Sequence, residues 1–143
     1  MTGILYIVAT PIGNLGDMSA RALSKLKEVD YILCEDTRVT GKLLEHFGIA
    51  TPTVSYHQHS GEMKKLEIRK LLDEGKIIAL VSDAGTPGIS DPGNELVAQL
   101  TMNNEQLTVV RIPGASAVMA ALSVCGFPAD KFLFLGFPPH KKK

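Results

Sequence analysis

Two short stretches of this chain concentrate groups able to do chemistry. The first is Ser82-Asp83-Ala84-Gly85-Thr86-Pro87-Gly88-Ile89-Ser90-Asp91-Pro92-Gly93, which follows the apolar run Ile77 to Val81 directly. Glycines there let a ligand approach the backbone, and prolines hold the loop in one shape. Asp83 and Asp91 can chelate a metal, cap a helix or bind the hydroxyl and amino groups of a ligand. A hard cation wants several oxygen ligands, and no neighbouring cluster supplies them, so no metal is assigned. Asp91 stands before Pro92 at a helix start and reads as an N-cap, whereas Asp83 has no such local role. The second stretch is Glu35, Asp36 and Arg38, just after the apolar run Val29 to Cys34. A base and a cation in one loop at a strand's carboxyl end are candidate catalytic groups. An internal ion pair that shapes the loop is the competing reading.

Alternating strands and helices must position these groups. The apolar runs at 3–9, 29–34, 53–56, 77–81 and 107–112 predict five strands, and 132–135 could begin a sixth. Between them, Ser19 can cap a helix running to Glu28, with Ala22, Leu23 and Leu26 inward. A helix from Thr37 or Val39 to Phe47 turns Leu43, Leu44 and Phe47 inward and ends at Gly48. Ser60 is expected to cap a helix over 61–73 whose apolar residues are Leu66, Ile68, Leu71 and Leu72. Pro92-Gly93 opens a helix to Met102, and a last helix runs from Ala115 to Cys125. This alternation predicts an α/β fold, a mostly parallel five-stranded sheet with helices on both faces. Residues 1–136 read as one α/β domain, and 137–143, with Pro138-Pro139 and a lysine tail, as a linker or chain end.

Composition narrows the class. The 143 residues carry a formal net charge of zero, which argues against a protein gripping nucleic acid through charge alone. Lys141 to Lys143 read as a solvated tail. Met1-Thr2-Gly3 runs straight into a strand-like segment, without the pattern of a secretory leader. No apolar run has the length of a membrane span. Cys34 and Cys125 lie far apart in apolar patterns and read as small buried hydrophobes in a reducing compartment. A cytoplasmic location is expected.

Three strand-end loops would line one edge of the sheet. Besides 82–93, these are Ala9 to Asp17 after the first strand and Ile112 to Ala117 after the fifth. The first holds only Gly13-x-x-Gly16, short of the dinucleotide fingerprint, and no phosphate-loop lysine follows. The third places small residues at a helix start, where backbone N–H groups are free. A pocket of backbone and small side chains suits a ligand with polar and apolar parts, such as a nucleoside with an amino-acid tail.

Residues 5–17, Cys34-Glu35-Asp36-Thr37-Arg38 and 82–93 together resemble the tetrapyrrole methylase superfamily. The branch most similar modifies small-subunit ribosomal RNA. Ser55-Tyr56-His57-Gln58-His59 and Pro113-Gly114-Ala115-Ser116-Ala117 agree with it as well. The resemblance implies S-adenosylmethionine as methyl donor, bound between two α/β domains. It implies 2′-O-methylation of a ribose, a cytidine of 16S rRNA, and a homodimer with no membrane partner. By motif position Pro11, Ile12, Asp83, Ala84, Gly85, Thr86, Ser116 and Ala117 would touch the cofactor. Family members carry a second domain of similar size, so this chain matches the N-terminal half.

Methyl transfer to a ribose hydroxyl is an in-line displacement helped by a general base or an alkoxide-stabilising cation. Glu35, Asp36 and Arg38 are the candidates for those roles. His57 and His59 share one side of an extended segment. Two histidines rarely suffice for a metal, which leaves RNA or substrate contact, or ordinary loop polarity. Two alternatives stay open: methylation of a tetrapyrrole precursor or other small acceptor, and a fragment that only dimerises.

Overall fold

The computed structural model describes residues 3–57, 59–91, 93–102 and 107–138. Five parallel strands form one sheet: β1 (Ile4–Val8), β2 (Tyr31–Cys34), β3 (Thr53–Ser55), β4 (Ile77–Leu80) and β5 (Thr108–Ile112). Their spatial order is β3-β2-β4-β1-β5. The helices are α1 (Ala20–Glu28), α2 (Thr37–His46), α3 (Glu62–Asp73), α4 (Gly93–Met102) and α5 (Ala117–Val124). The α/β expectation holds, the five expected strands and the five helices being present with ends shifted by a residue or two.

Two apolar layers sandwich the sheet. Val8, Ile32, Cys34, Ala79 and Val81 pack with Ala22, Leu26 and Leu44, so α1 and α2 cover one face. Leu5, Leu33, Ile78 and Leu80 pack with Ile68, Leu72, Leu96 and Leu100, so α3 and α4 cover the other. Each buried Leu or Ile contributes roughly 1.5–3 kcal/mol of transfer free energy. Alternation of side chains along each strand delivers apolar residues to both layers, which is why the strands read as continuous apolar runs.

The chain order fixes where a cleft opens. From β2 the chain leaves toward β3, and from β4 it leaves toward β5. The two connections part above the β2–β4 pair, and such a parting leaves a crevice at the strands' carboxyl ends.

Several local expectations are corrected. Ser60 does not cap α3: Gly61 is the N-cap without a side-chain bond, and Ser60 Oγ accepts from the His57 N–H at 2.9 Å. Leu66 points outward, 56% exposed, because Ile68 and Leu72 define the inner stripe of α3. Cys125 is exposed at the C-cap of α5, which buries none of its residues. Phe132 to Leu135 form no strand: they pair with none of the five strands, and all four are exposed. Pro92, Gln58 and Lys141 to Lys143 lie outside the described residues, and the 137–143 segment is described only through Pro138.

Candidate functional site

The carboxyl-end loops are tied into one platform. Thr10 N–H donates to the Gly85 carbonyl at 2.9 Å, and Gly85 N–H to the Thr10 carbonyl at 3.0 Å. This isolated antiparallel bridge joins the loop after β1 to the loop after β4. Thr10 Oγ1 adds a buried bond to the Ser82 carbonyl at 3.1 Å. Thr86 Oγ1 donates to the Ala115 carbonyl at 3.0 Å, joining the third loop. Gly85 has φ of 84°, a left-handed conformation that suits glycine. A methyl group there would stand 3.4 Å from Ile12 Cγ2 and 3.6 Å from the Ala115 carbonyl, so all three loops converge on Gly85.

Of the residues expected to touch the cofactor, Pro11, Ile12, Asp83 to Thr86 and Ser116 belong to these interlocked loops. Ile12 is 39% exposed and leaves an uncovered apolar surface there. Asp83 and Ala84 are exposed, and Pro11 is buried. Ser116 caps α5, its Oγ facing the Met119 N–H, and Ala117 begins that helix as an exposed residue. Asp91 Oδ1 accepts from Gly93 N–H at 2.8 Å at the start of α4 and from Gly88 N–H at 2.7 Å. It thus fixes the loop after β4. Ser90 beside it has φ of 57°, the kind of backbone strain that collects at ligand-facing loops.

The acid–base candidates divide. Asp36 is the N-cap of α2, accepting from Arg38 N–H at 2.8 Å. It also holds the Arg38 guanidinium through two bonds, at 3.0 and 2.7 Å. The guanidinium and the backbone donor hold its carboxyl down to about 2. Both are solvated, and the Arg38 side chain is 86% exposed. Glu35 behaves oppositely. Partial burial pushes its carboxyl up, with added repulsion from Asp83 and Asp91. Asp83 Oδ1 also receives the Asp36 N–H at 3.3 Å, bringing the loops after β2 and β4 together across the crevice. Cys34 beneath them is buried, its thiol pushed up by desolvation, so it is packing material.

His57 and His59 sit apart from this convergence. His57 Nδ1 accepts from the His59 N–H at 3.2 Å, so one ring shapes its own loop. Among the described residues no group of three or more His, Cys, Asp or Glu could hold a metal ion.

A cavity of about 410 Å³ opens between the loop after β1 and α2, with Asp83 at its lip. Its α2 wall is Val39, Thr40, Lys42 and Leu43, none of them singled out by the sequence as site residues. The available signal is the spacing of Val39 and Leu43, one turn apart. Val39 is 44% exposed although apolar.

Comparison with known proteins agrees with this architecture. The family described as Tetrapyrrole (Corrin/Porphyrin) Methylases matches residues 4–137. A "Ribosomal RNA small subunit methyltransferase I" of Synechocystis sp. is 56% identical over 141 residues, 99% of this chain and 50% of that protein. The protein of the same name in Halalkalibacterium halodurans is 54% identical, over 99% of this chain and 48% of its own length. The chain therefore spans about half the length of the curated relatives it matches. Among solved structures, a uroporphyrin-III-C-methyltransferase from Thermus thermophilus superposes with a TM-score of 0.66 at 22% identity. That match covers 90% of this chain and 55% of the other. A diphthine synthase does so at 0.64 and 17%, covering 87% of this chain and 49% of the other. At such identities these two show the fold alone.

Proposed function

The chain belongs to the tetrapyrrole methylase family, and we propose that it is the N-terminal half of an S-adenosylmethionine-dependent methyltransferase acting on ribose 2′-hydroxyls of 16S rRNA. The observation that carries this reading is the interlocking of three strand-end loops around Gly85. The relatives' shared name supplies the substrate class.

The residues fit the donor's chemistry. Ile12 offers apolar surface for a flat base, and Asp83 offers an exposed carboxylate for hydroxyl or amino groups. Ala84, Thr86, Ser116 and Ala117 contribute small surfaces over which a ligand can lie close to the backbone, and Gly85, buried beneath them, lets the loops close up. Pro11 stiffens the first loop. Bound on this platform, S-adenosylmethionine supplies an electrophilic methyl group. Glu35 receives the proton of the acceptor hydroxyl, its raised pKa moving it toward the working pH of a general base. Asp36 positions Arg38, and the exposed guanidinium faces the anionic acceptor.

The rest of the enzyme covers the apolar surface left by the C-terminal third. Phe127, Leu133, Leu135 and Phe137 are each at least 77% exposed, and α5 is apolar without burying a residue. A helix apolar on all sides belongs in a protein interior. On this reading residues 1–136 are one domain, 137–143 connect it to a second, and the whole enzyme is a cytoplasmic homodimer. No described helix is long and apolar enough to cross a membrane.

The test is titration of S-adenosylhomocysteine into this chain, and into a chimera carrying the C-terminal half of the Synechocystis relative, each with Asp83→Ala. Saturable one-site binding weakened by the substitution supports the platform, and absence of binding in both proteins refutes it. The chimera, given the donor and small ribosomal subunits, should leave a 2′-O-methyl mark.

A further inference from the structure

We infer that the cavity between the loop after β1 and α2 is an acceptor subsite, adjoining the donor platform, that takes one unstacked nucleotide, with Lys42 on its phosphate. This rests on the reading above that the acceptor is RNA.

The shape points to a single nucleotide. At about 410 Å³ the cavity falls within the ~300–1,000 Å³ of small-molecule sites. It has no room for a duplex, and a protein acting on one nucleotide draws it out of its stack. The walls have the right division of chemistry. Pro11 and Leu15 on one side, and Val39 and Leu43 on the other, form an apolar slot. Polar groups line it as well. Asn14 Oδ1 is committed to the Gly16 N–H at 2.9 Å, so its amide nitrogen is left to donate into the cavity. Asp83 at the lip accepts.

Lys42 supplies the charge. It lines the cavity, is exposed, and has no carboxylate partner among the described residues. Lys25, Lys64, Lys65, Lys70 and Lys76 each face a carboxylate instead. An unneutralised ammonium beside an apolar slot suits a ligand that is flat and apolar at one end and anionic at the other. Asp83 at the lip receives the Asp36 N–H at 3.3 Å, which ties the slot to the loop that carries Glu35. Pro11 and Asp83 line both the slot and the donor platform, whereas Ile12 and Ala115 do not line the slot, so a nucleotide seated there abuts the donor without covering that part of its surface.

The experiment is NMR titration of cytidine 5′-monophosphate, cytidine and inorganic phosphate into the ¹⁵N-labelled chain at low salt. Wild type should bind the monophosphate saturably at millimolar concentration, with shifts confined to residues 10–15 and 39–43. Lys42→Glu should weaken the monophosphate at least tenfold and change cytidine less than twofold. Val39→Phe, which fills the slot from an exposed helix position, should abolish both. Circular dichroism melting confirms that each variant is folded. S-adenosylhomocysteine titrated alongside separates the two readings. Its binding, unchanged by either variant and not displaced by the monophosphate, supports two distinct subsites. No monophosphate binding, binding as strong for phosphate alone, or indifference to both substitutions overturns the subsite. In each of those cases retained S-adenosylhomocysteine binding leaves the methyltransferase reading standing.

Discussion

Gly85 and Gly88 allow strain to be separated from function. Both lie in the loop after β4 with nearly equal dihedrals, φ of 84° and 87°. An alanine in the left-handed region costs roughly 1–2 kcal/mol. For a chain of this size, about 1 kcal/mol lowers Tm by roughly 3–4 °C. Gly85→Ala and Gly88→Ala should therefore each lower Tm by about 3–8 °C. Their surroundings differ. The nearest atom to a Cβ at Gly88 is the Asn94 Oδ1 at 3.2 Å, the end of a side chain that can turn away. At Gly85 the neighbours are Ile12 and the Ala115 backbone, and the residue itself carries both bonds of the bridge to Thr10. Both Cβ contacts at Gly85 are of ordinary length, so what sets it apart is the bridge: relief of its φ strain must disturb the bonds to Thr10 in the loop after β1, and relief at Gly88 need not. Calorimetric titration of S-adenosylhomocysteine should show at least tenfold weaker binding for Gly85→Ala, or about 1.4 kcal/mol. For Gly88→Ala the change should be under twofold. Equal effects on affinity, or none at Gly85, would refute the claim that the bridge organises the cofactor platform.

Glu35→Gln should abolish methyl transfer by the two-domain chimera while raising, not lowering, the chain's urea midpoint at pH 7. The folded state holds this carboxyl's pKa above its unfolded value. Ionisation therefore destabilises the fold as pH rises from the unfolded toward the folded pKa, and the gain on substitution should vanish below pH 4. Asp30→Asn should cost about 1 kcal/mol at pH 7, read by urea denaturation. Asp30 accepts the Ile77 N–H at 2.8 Å and pairs with Lys76, which lowers its pKa. Its contribution is present above the unfolded pKa and is lost as pH falls through the folded one, so wild type and variant should converge once the pH is below both. Leu96→Ala, which empties a fully buried position between α4 and the sheet, should cost about 2–5 kcal/mol by the same assay. Replacing Leu133 and Leu135 by Ser should leave stability within about 0.5 kcal/mol and reduce self-association in sedimentation velocity, because both are at least 80% exposed.

The fold was legible because its signals are local. The apolar runs gave the strands, and Ser19 capped α1 as its spacing with Ala22 required. Failures came where a local pattern met a missing or unexpected neighbour. Ser60 precedes a helix, yet its hydroxyl had a better partner in the His57 N–H. Phe132 to Leu135 have strand composition and pair with no strand, since pairing is decided by what lies alongside. The candidate site was half legible. The glycine-rich loops stand out in the sequence, and their meeting at Gly85 follows from strand order. The α2 wall does not stand out. Lys42 looks like any solvated lysine until the loop after β1 is placed across from it.

That α2 carries two roles explains why Glu35 and Asp36, adjacent in sequence, differ so much in chemistry. β2 is an interior strand, and burial at its end keeps Glu35 partly desolvated, with repulsion from Asp83 and Asp91 added. One residue later the chain turns into α2. Asp36 is then spent on the helix's first turn, where a carboxylate satisfies backbone donors and favours the helix dipole. A cap needs a carboxylate that stays ionised, and a base near neutral pH needs one whose ionisation is opposed. The strand-to-helix turn supplies both environments in consecutive residues. Exchanging the pair, Glu35→Asp with Asp36→Glu, keeps composition and charge constant. With Glu35 as the proposed base, the exchange should still impair transfer, because the side chain at 35 is shortened and the longer one at 36 is a poorer cap.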